Sequence, residues 1–336
     1  MWLNQTHALL LALADPRGPD DLFDLAPPKP SGLRQLLELA DRHGVLAIVM
    51  ENLRHLPGRA TGPWHSFQPE PTAWEWAKER MRRRTGLSLV LRRQARELTG
   101  RLHEAGLPAL VVKGCDFADR LYSHPSLRPF TDVDLLVPER SLPETRQVFK
   151  ALGYQPVPVP MKHATGYGEE SWRHPNLPGG MVEIHWNLVN SPSLRRALSV
   201  TYEDLQLEPH DGRLRPSAAA LLLIAAVHGA ASHGLDRLQP LGDVVQSVRG
   251  AAGALDETWL ARAVRRTGTG RALATALALA HKVYGEPDCL NLLNRLGIKR
   301  RAWPGRLLLS RGVVLRAHAP RDSFRRQLLR EFLKRK

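Results

Sequence analysis

The hydrophobic positions in the first part of the chain recur with the period of a helix. Leu33, Leu36 and Leu37 share one helical face, and Ser31 is placed to cap that helix. After a loop rich in proline and glycine, residues 72–105 carry apolar positions at helical spacing among many arginines. The pattern predicts a helical beginning of the chain that ends in one long helix or a broken pair.

The period of the pattern shortens in the middle of the chain. Residues 110–112 form a short apolar run that is typical of a buried strand, and residues 131–137 alternate as a half-buried strand does. Residues 142–152 return to helical spacing and end at a glycine, and residues 181–186 alternate again. Interleaved strands and helices of this kind predict a mixed sheet that is covered by helices.

The last part of the chain again has a helical pattern, with its clearest apolar runs at residues 221–227, 255–264, 272–283 and 307–315. We therefore predict an α+β protein in which a small mixed sheet is flanked by helical regions at both ends of the chain. The predicted regions are an N-terminal helical region 1–105, a core 106–190, and a C-terminal helical region 191–336 with a basic tail.

Positive charge is concentrated in two of the predicted helical segments. The chain has 336 residues and a formal net charge of +15. Residues 78–101 hold nine basic and two acidic residues, and residues 299–336 hold 13 basic and two acidic residues. Such an excess favours anionic partners, nucleic acid among them. Each basic segment is either a solvated arginine face, a nucleic-acid contact or a membrane-surface helix, and the membrane surface is the least favoured of the three.

Several classes of protein are excluded by composition. The chain has two cysteines, Cys115 and Cys289, too few for a disulfide scaffold or a cysteine-based zinc site. No apolar run approaches the roughly 20 residues of a membrane span, and the first residues lack the basic start of a signal peptide. We expect a cytoplasmic protein. Arginine outnumbers lysine 39 to 9, which favours a GC-rich bacterial genome.

Acidic side chains lie on the polar faces of two predicted strands. Asp132 and Asp134 project together from one strand, and Glu183 and His185 project together from another. Neighbouring carboxylates repel each other in a low dielectric unless they share a cation, and Mg²⁺ prefers oxygen ligands. If the two strands are neighbours, Glu183 is a third metal ligand or accepts the proton of an attacking hydroxyl. His185 either supports this site or is a core histidine.

A Lys-Gly turn follows the first predicted strand. Gly114 would let the backbone approach a phosphate closely, and Lys113 would supply positive charge. The glycine spacing excludes a P-loop and a dinucleotide-binding fingerprint. Arg128, four residues before the Asp pair, is either a phosphate contact or the partner of a helix end.

Together, these segments resemble the bacterial nucleotidyltransferase family of the DNA polymerase β superfamily. The resemblance rests on the Lys-Gly turn, on D-x-D-L-L-V after an arginine, and on E-x-H-W, in that order along the chain. The stretch from His228 to Asp243 is also similar to that family's helical, His-rich segment, which ends in an Asp. The matching motifs span residues 110–245. Many members of the superfamily have Gly-Ser where this chain has Gly114 followed by cysteine.

The resemblance implies a polymerase-β-like core and a two-metal reaction. An acceptor oxygen would attack the α-phosphate of a nucleoside triphosphate such as ATP, and pyrophosphate would leave. Two Mg²⁺ ions, or Mn²⁺, would serve as cofactors, and the acceptor would be a peptide, a protein, an RNA or a small molecule. The implied roles are metal binding and catalysis by Asp132, Asp134 and Glu183, nucleotide binding by Lys113, Gly114 and Arg128, and support of these groups by His185, His228 and Asp243.

Other interpretations remain open from the sequence. His228 follows an apolar helix and could be structural, and Asp243 could be a helix N-cap. The reaction could instead transfer the γ-phosphoryl group, as a kinase does, which would yield ADP rather than pyrophosphate. The chain could also be a non-catalytic nucleic-acid-binding or regulatory protein. The retained carboxylates of Asp132, Asp134 and Glu183 argue against this last alternative.

Overall fold

The structure is a computed structural model that describes residues 4–19, 25–58, 62–158, 166–177, 180–251, 255–299, 305, 308–315 and 323–335. It confirms the predicted α+β class, with a small mixed sheet flanked by helices. Within the described ranges, no helix is both long enough and apolar enough to cross a membrane.

Helices precede the sheet in the chain. In order, they are α1 (Gln5–Leu13), α2 (Pro30–Arg42), α3 (Leu46–His55) and α4 (Pro71–Glu104). The prediction of an N-cap at Ser31 is wrong, because α2 begins one residue earlier with Pro30 at its first position. The segment predicted as one long helix or a broken pair is the single helix α4, whose 34 residues reach from the N-terminal region to the sheet.

The sheet has five strands, in the spatial order β1-β2-β5-β4-β3. The strands are β1 (Leu110–Val111), β2 (Asp132–Leu136), β3 (Gln155–Pro156), β4 (Glu169–Arg173) and β5 (Met181–His185). β2 and β5 are parallel, and the other neighbouring pairs are antiparallel. The strands predicted from the apolar run and the two alternating segments are confirmed as β1, β2 and β5. β3 and β4 were not predicted.

The two faces of the sheet have different environments, as the alternating pattern requires. Val133 and Leu135 of β2 pack in a core with Val182 and Ile184 of β5. The second half of α4 covers this face, together with Phe149 of helix α6 (Leu142–Ala151). The opposite face carries the acidic side chains, and helix α5 (Gly114–Arg120) lies after β1 at this edge of the sheet.

The C-terminal region consists mainly of helices. In chain order they are α7 (Pro192–Arg195), α8 (Ala218–Val227), α9 (Leu238–Gly250), α10 (Glu257–Thr267), α11 (Gly270–Tyr284), α12 (Pro287–Arg295), α13 (Arg311–Leu315) and α14 (Phe324–Lys334). Leu307, at the start of the last predicted run, lies outside the described residues. A hairpin of β6 (Leu207–His210) and β7 (Arg213–Pro216) interrupts the predicted all-helical pattern. Its turn is Asp211-Gly212, both with positive φ, which is a recognised hairpin signal.

The N-terminal and C-terminal helices share one hydrophobic core. Leu9, Leu10 and Leu13 of α1 are buried in the same cluster as residues of α8, α9 and α11. A polar network reinforces the contact between the two regions. Arg249 of α9 donates to Asp15 at 2.6 and 2.8 Å and to Glu286 at 2.5 Å. The helices that precede and follow the sheet are therefore packed as one body.

We expect Arg249→Met to lower the free energy of unfolding by about 3 kcal/mol, because its removal leaves the mostly buried carboxylate of Asp15 without a counterion and leaves Glu286 with only the more exposed Arg17, at 3.4 Å. Arg295→Met is the matched control, since Arg295 is half-exposed and its pair with Glu257 lies at the surface. Urea unfolding of both variants measures the difference. An Arg249→Met protein as stable as the wild type would contradict this role of the network.

Candidate active site

The parallel pairing of β2 and β5 brings the predicted acidic residues together. The register places Asp134 opposite Glu183 and Asp132 opposite Met181. Asp132, Asp134 and Glu183 therefore share one face of adjacent strands, which confirms that the two predicted strands are neighbours. Asp134 is buried, and Asp132 and Glu183 are partly buried. Such a concentration of carboxylates requires positive charge nearby.

Two basic side chains contact the most buried of these carboxylates. Oδ1 of Asp134 lies 2.7 Å from Nζ of Lys113 and 2.9 Å from Nε2 of His185. Burial opposes the ionisation of Asp134, but Lys113 and His185 outweigh it and hold the pKa of this carboxyl well below its usual range. Burial likewise opposes the charge on Lys113, while Asp134 and Glu183 raise the pKa of its ammonium. The two charges stabilise each other.

His185 connects three carboxylates. Its Nε2 lies 3.4 Å from Oε2 of Glu183 in addition to the contact with Asp134, and its Nδ1 lies 3.4 Å from Oε2 of Glu169. Burial and the charge of Lys113 oppose protonation of the ring, but the hydrogen bonds to Asp134 and Glu183 raise the pKa of His185 to about 9. The ring is therefore charged at neutral pH. It donates from Nε2 to Asp134 at 2.9 Å, and its Nδ1 also lies 3.4 Å from Oδ1 of Asn190.

Sequence reasoning missed Glu169 and Asn190, which complete this face of the sheet. Glu169 lies opposite His185 in the β4–β5 register, and the amide of Asn190 donates to its carboxylate. Burial, and then the charge of Glu183, raise the pKa of Glu169 even though His185 lowers it. The sequence carried little signal for this strand, because Trp172 is the only apolar side chain among residues 169–173.

The carboxylates can hold a divalent cation. Among the described residues, Asp134, Glu183 and His185 place ligand atoms within 4.8 Å of one another. The oxygens of Asp134 and Glu183 are donors of the kind that suit Mg²⁺ and Mn²⁺, and His185 offers a ring nitrogen beside them. Asp132 lies outside this group. Its own burial, and then the charges of Asp134 and Glu183, raise the pKa of Asp132 to about 7.

The turn between β1 and α5 is strained and closely packed. Lys113 has φ 62° and ψ −144°, which is unusual for a residue with a side chain, and Gly114 has φ 38°. A Cβ added at Gly114 would lie 3.4 Å from the carbonyl oxygen of Asp132 and 3.7 Å from the ring of Phe130. The glycine therefore brings the turn against β2, and Lys113 directs its ammonium to Asp134.

Arg128 and Asp243 form a buried ion pair beneath this turn. Nε and Nη2 of Arg128 donate to the two carboxylate oxygens of Asp243 at 2.9 and 2.8 Å, and the Tyr122 hydroxyl donates to the same carboxylate at 2.8 Å. Nη1 of Arg128 donates to the Gly114 carbonyl at 3.3 Å. Asp243 lies inside α9, so the alternative that it is an N-cap is wrong. The pair connects the Lys-Gly turn to the C-terminal helices.

A cleft of about 210 Å³ opens between this face of the sheet and the helices on both sides. It is lined by three acidic residues, Asp41, Asp132 and Asp134, by five cationic residues, Arg42, Arg84, Lys113, Arg128 and Arg237, and by His228 and His233. The basic lining suits a phosphate-bearing ligand. Of the helices in the cleft wall, α2 and α4 belong to the N-terminal region.

His228 and His233 face the cleft from a π-helical turn that follows α8. Their Nε2 atoms lie 3.0 Å apart, so one imidazole donates a hydrogen bond to the other. Burial, and then nearby positive groups, hold the pKa of His228 well below its usual range and lower the pKa of His233 to about 4. Both rings are therefore neutral at physiological pH. Both histidines lie in the stretch from His228 to Asp243 that carries part of the sequence resemblance.

Many basic side chains of the two arginine-rich segments have acidic partners. Examples on α4 are the pairs Arg80–Asp41, Arg84–Asp41, Arg83–Glu79, Arg92–Asp119 and Arg101–Glu104. On α14, the guanidinium of Arg326 is buried against Asp236. These contacts support the interpretation of both segments as structural or solvated faces. The proposed nucleic-acid contact stays a prediction.

Comparison with known proteins gives one match. Searches of curated proteins and of solved structures find no similar protein. A family model described as an uncharacterised nucleotidyltransferase matches residues 29–285, which include the sheet, the cleft and the helices from α2 to α11. The match covers most of the chain, and it includes the carboxylate cluster and every residue that lines the cleft. The chain therefore belongs to this family of nucleotidyltransferases.

Proposed function

We propose that this protein is a metal-dependent nucleotidyltransferase that moves a nucleoside monophosphate from a nucleoside triphosphate to an acceptor hydroxyl or phosphate and releases pyrophosphate. The observation that carries the proposal is the β2–β5 register, which places Asp134 beside Glu183 on the sheet face that borders a basic cleft. Paired carboxylates and a phosphate-binding wall are the two requirements of metal-assisted phosphoryl chemistry.

Asp134 and Glu183, with Asp132 on the same face, would hold two Mg²⁺ or Mn²⁺ ions. Bound ions of this type neutralise the charge on the attacking and leaving oxygens. His185 orients Asp134 and Glu183 through its hydrogen bonds, so we assign it a supporting role.

Lys113 and Glu183 would act on the substrates directly. The ammonium of Lys113 is buried and therefore needs an anionic partner, which is Asp134 in this structure. A phosphate oxygen in the cleft can serve as that partner when the nucleotide is bound. Glu183 is partly buried on the same face, where it can accept the proton of the acceptor hydroxyl or bind the metal. Arg128 and Asp243 hold the Lys-Gly turn in place from below.

The reaction type is tested with nucleoside triphosphates that carry ³²P at the α or the γ position. Purified protein, Mg²⁺, each of the four nucleotides and a cell lysate as the source of acceptor are incubated together. We expect transfer of the α label to an acceptor, with release of pyrophosphate. Transfer of the γ label with formation of a nucleoside diphosphate would instead identify a kinase.

We expect Asp134→Asn to reduce transfer by about a thousandfold or more, because the variant loses a metal-binding charge that stabilises the transition state. Asp132→Asn should have an effect in the same direction. Glu170→Gln is the matched control, since Glu170 projects from the other face of β4 and pairs with Arg146. The α-label assay measures all three, and circular dichroism checks their folds. Wild-type rates in Asp134→Asn would remove this residue from the metal site.

We expect Glu183→Gln to reduce the rate of transfer by about a hundredfold while the affinity for the nucleotide changes little, because loss of a general base slows the chemical step. Single-turnover rates and equilibrium nucleotide binding separate the two effects. A normal single-turnover rate in Glu183→Gln would exclude Glu183 from the mechanism. A lower nucleotide affinity with a normal single-turnover rate would mean that Glu183 binds the metal and does not accept the proton.

A further inference from the structure

Two arginines of the cleft are not neutralised by the protein. Arg42 is exposed and Arg237 is partly buried, and neither makes a hydrogen bond or an ion pair with any described residue. The other cationic residues of the cleft have carboxylate partners, in the pairs Arg84–Asp41 at 2.7 Å, Lys113–Asp134 at 2.7 Å and Arg128–Asp243 at 2.8 Å. The unneutralised charge of the cleft is therefore concentrated in Arg42 and Arg237.

The backbone segments that carry these two arginines are in contact. Arg42 is the last residue of α2, and Arg237 immediately precedes α9. The residue after Arg42, His43, accepts the backbone N–H of Leu238 at Nδ1 (3.3 Å) and that of Gln239 at its carbonyl oxygen (3.2 Å). These contacts join the end of α2 to the start of α9, at the positions that adjoin the two arginines.

Helix α14 contacts the segment that carries Arg237 on the side away from the cleft, through Arg326 and Asp236. Leu235, two residues earlier, is buried with φ 52°, a conformation that a branched side chain seldom adopts. Asp236 is 1% exposed and accepts a hydrogen bond of 3.0 Å from Nε of Arg326 in α14. α14 lies beyond residues 29–285, the part that matches the family. The position of Arg237 thus depends on a part of the chain outside the family region.

Arg42 and Arg237 line the same cleft from adjoining backbone segments, and cationic side chains without a protein partner there favour a bound anion. Asp132 and Asp134 line the same cleft as the two arginines. A ligand that fills the cleft therefore brings a metal-binding group to the carboxylates and a separate anionic group to the arginines. We propose that Arg42 and Arg237 bind the β- and γ-phosphates of the nucleoside triphosphate and retain them as pyrophosphate after transfer. This assignment rests on the proposed nucleotidyltransferase function and identifies the residues that bind its leaving group.

Binding of inorganic pyrophosphate in the presence of Mg²⁺ tests the assignment without knowledge of the acceptor. Isothermal titration compares the wild type with Arg42→Ala and Arg237→Ala, and we expect each variant to bind pyrophosphate at least about tenfold more weakly. Arg83→Ala is the matched control, because Arg83 is 75% exposed on α4 and lies outside the cleft. Binding of a nucleoside monophosphate, which lacks the terminal phosphates, should be unchanged in all variants.

The outcomes separate this assignment from the proposed function. If the wild type transfers the α label and both variants bind pyrophosphate normally, the assignment is wrong and the proposed function stands. If the variants change only the Michaelis constant of an anionic acceptor, the arginines bind the acceptor and the assignment is also wrong. If the wild type transfers no α label, the proposed function itself fails, whatever the variants bind.

Arg326 is a positioning residue in this account, because it reaches Asp236 and does not line the cleft. We expect Arg326→Ala to weaken pyrophosphate binding severalfold and Arg326→Lys to restore part of it, with melting temperatures of both variants close to each other. The lysine comparison separates positioning from general loss of structure. Equal pyrophosphate affinity in Arg326→Ala and the wild type would show that the contact of Arg326 with Asp236 does not set the position of Arg237.

Discussion

The site depends on one constraint, the pairing of β2 with β5 in a register that places Asp134 beside Glu183. Two carboxylates at adjacent positions of a sheet, one of them buried, destabilise each other unless positive charge compensates for them. In this structure Lys113 and His185 supply that charge through direct contacts with Asp134. A divalent cation can supply it when substrate is bound. The arrangement that costs folding energy is therefore also the arrangement that can bind a metal and a phosphate.

The rest of the molecule keeps this face of the sheet accessible and bordered by basic groups. The Arg128–Asp243 pair joins the Lys-Gly turn to α9, and the hydrogen bonds of His43 join α2 to the same helix. Because the helices before and after the sheet share one core, the cleft has walls from both ends of the chain. The helical regions thus form part of the candidate active site, and Arg42 and Arg237 are its least neutralised groups.

The alternating pattern was sufficient to predict much of this site. It assigned Asp132, Asp134 and Glu183 to the polar faces of two strands, and the structure confirms both strands. It did not identify Glu169, because the residues around it gave no strand signal. It did not identify Arg42 either, because an arginine at the end of a helix has an ordinary structural explanation. Contacts between residues far apart in sequence, such as Arg128 with Asp243, depend on tertiary packing that a local pattern does not contain.

The most direct test of the central claim is a crystal structure with Mn²⁺ and a non-hydrolysable nucleoside triphosphate analogue, in which anomalous scattering locates the metal. The account predicts manganese peaks bound by oxygens of Asp134 and Glu183, with the α-phosphate next to them and the terminal phosphates towards Arg42 and Arg237. A metal bound elsewhere, or a nucleotide whose γ-phosphate lies nearest to Asp134 and Glu183, would contradict it.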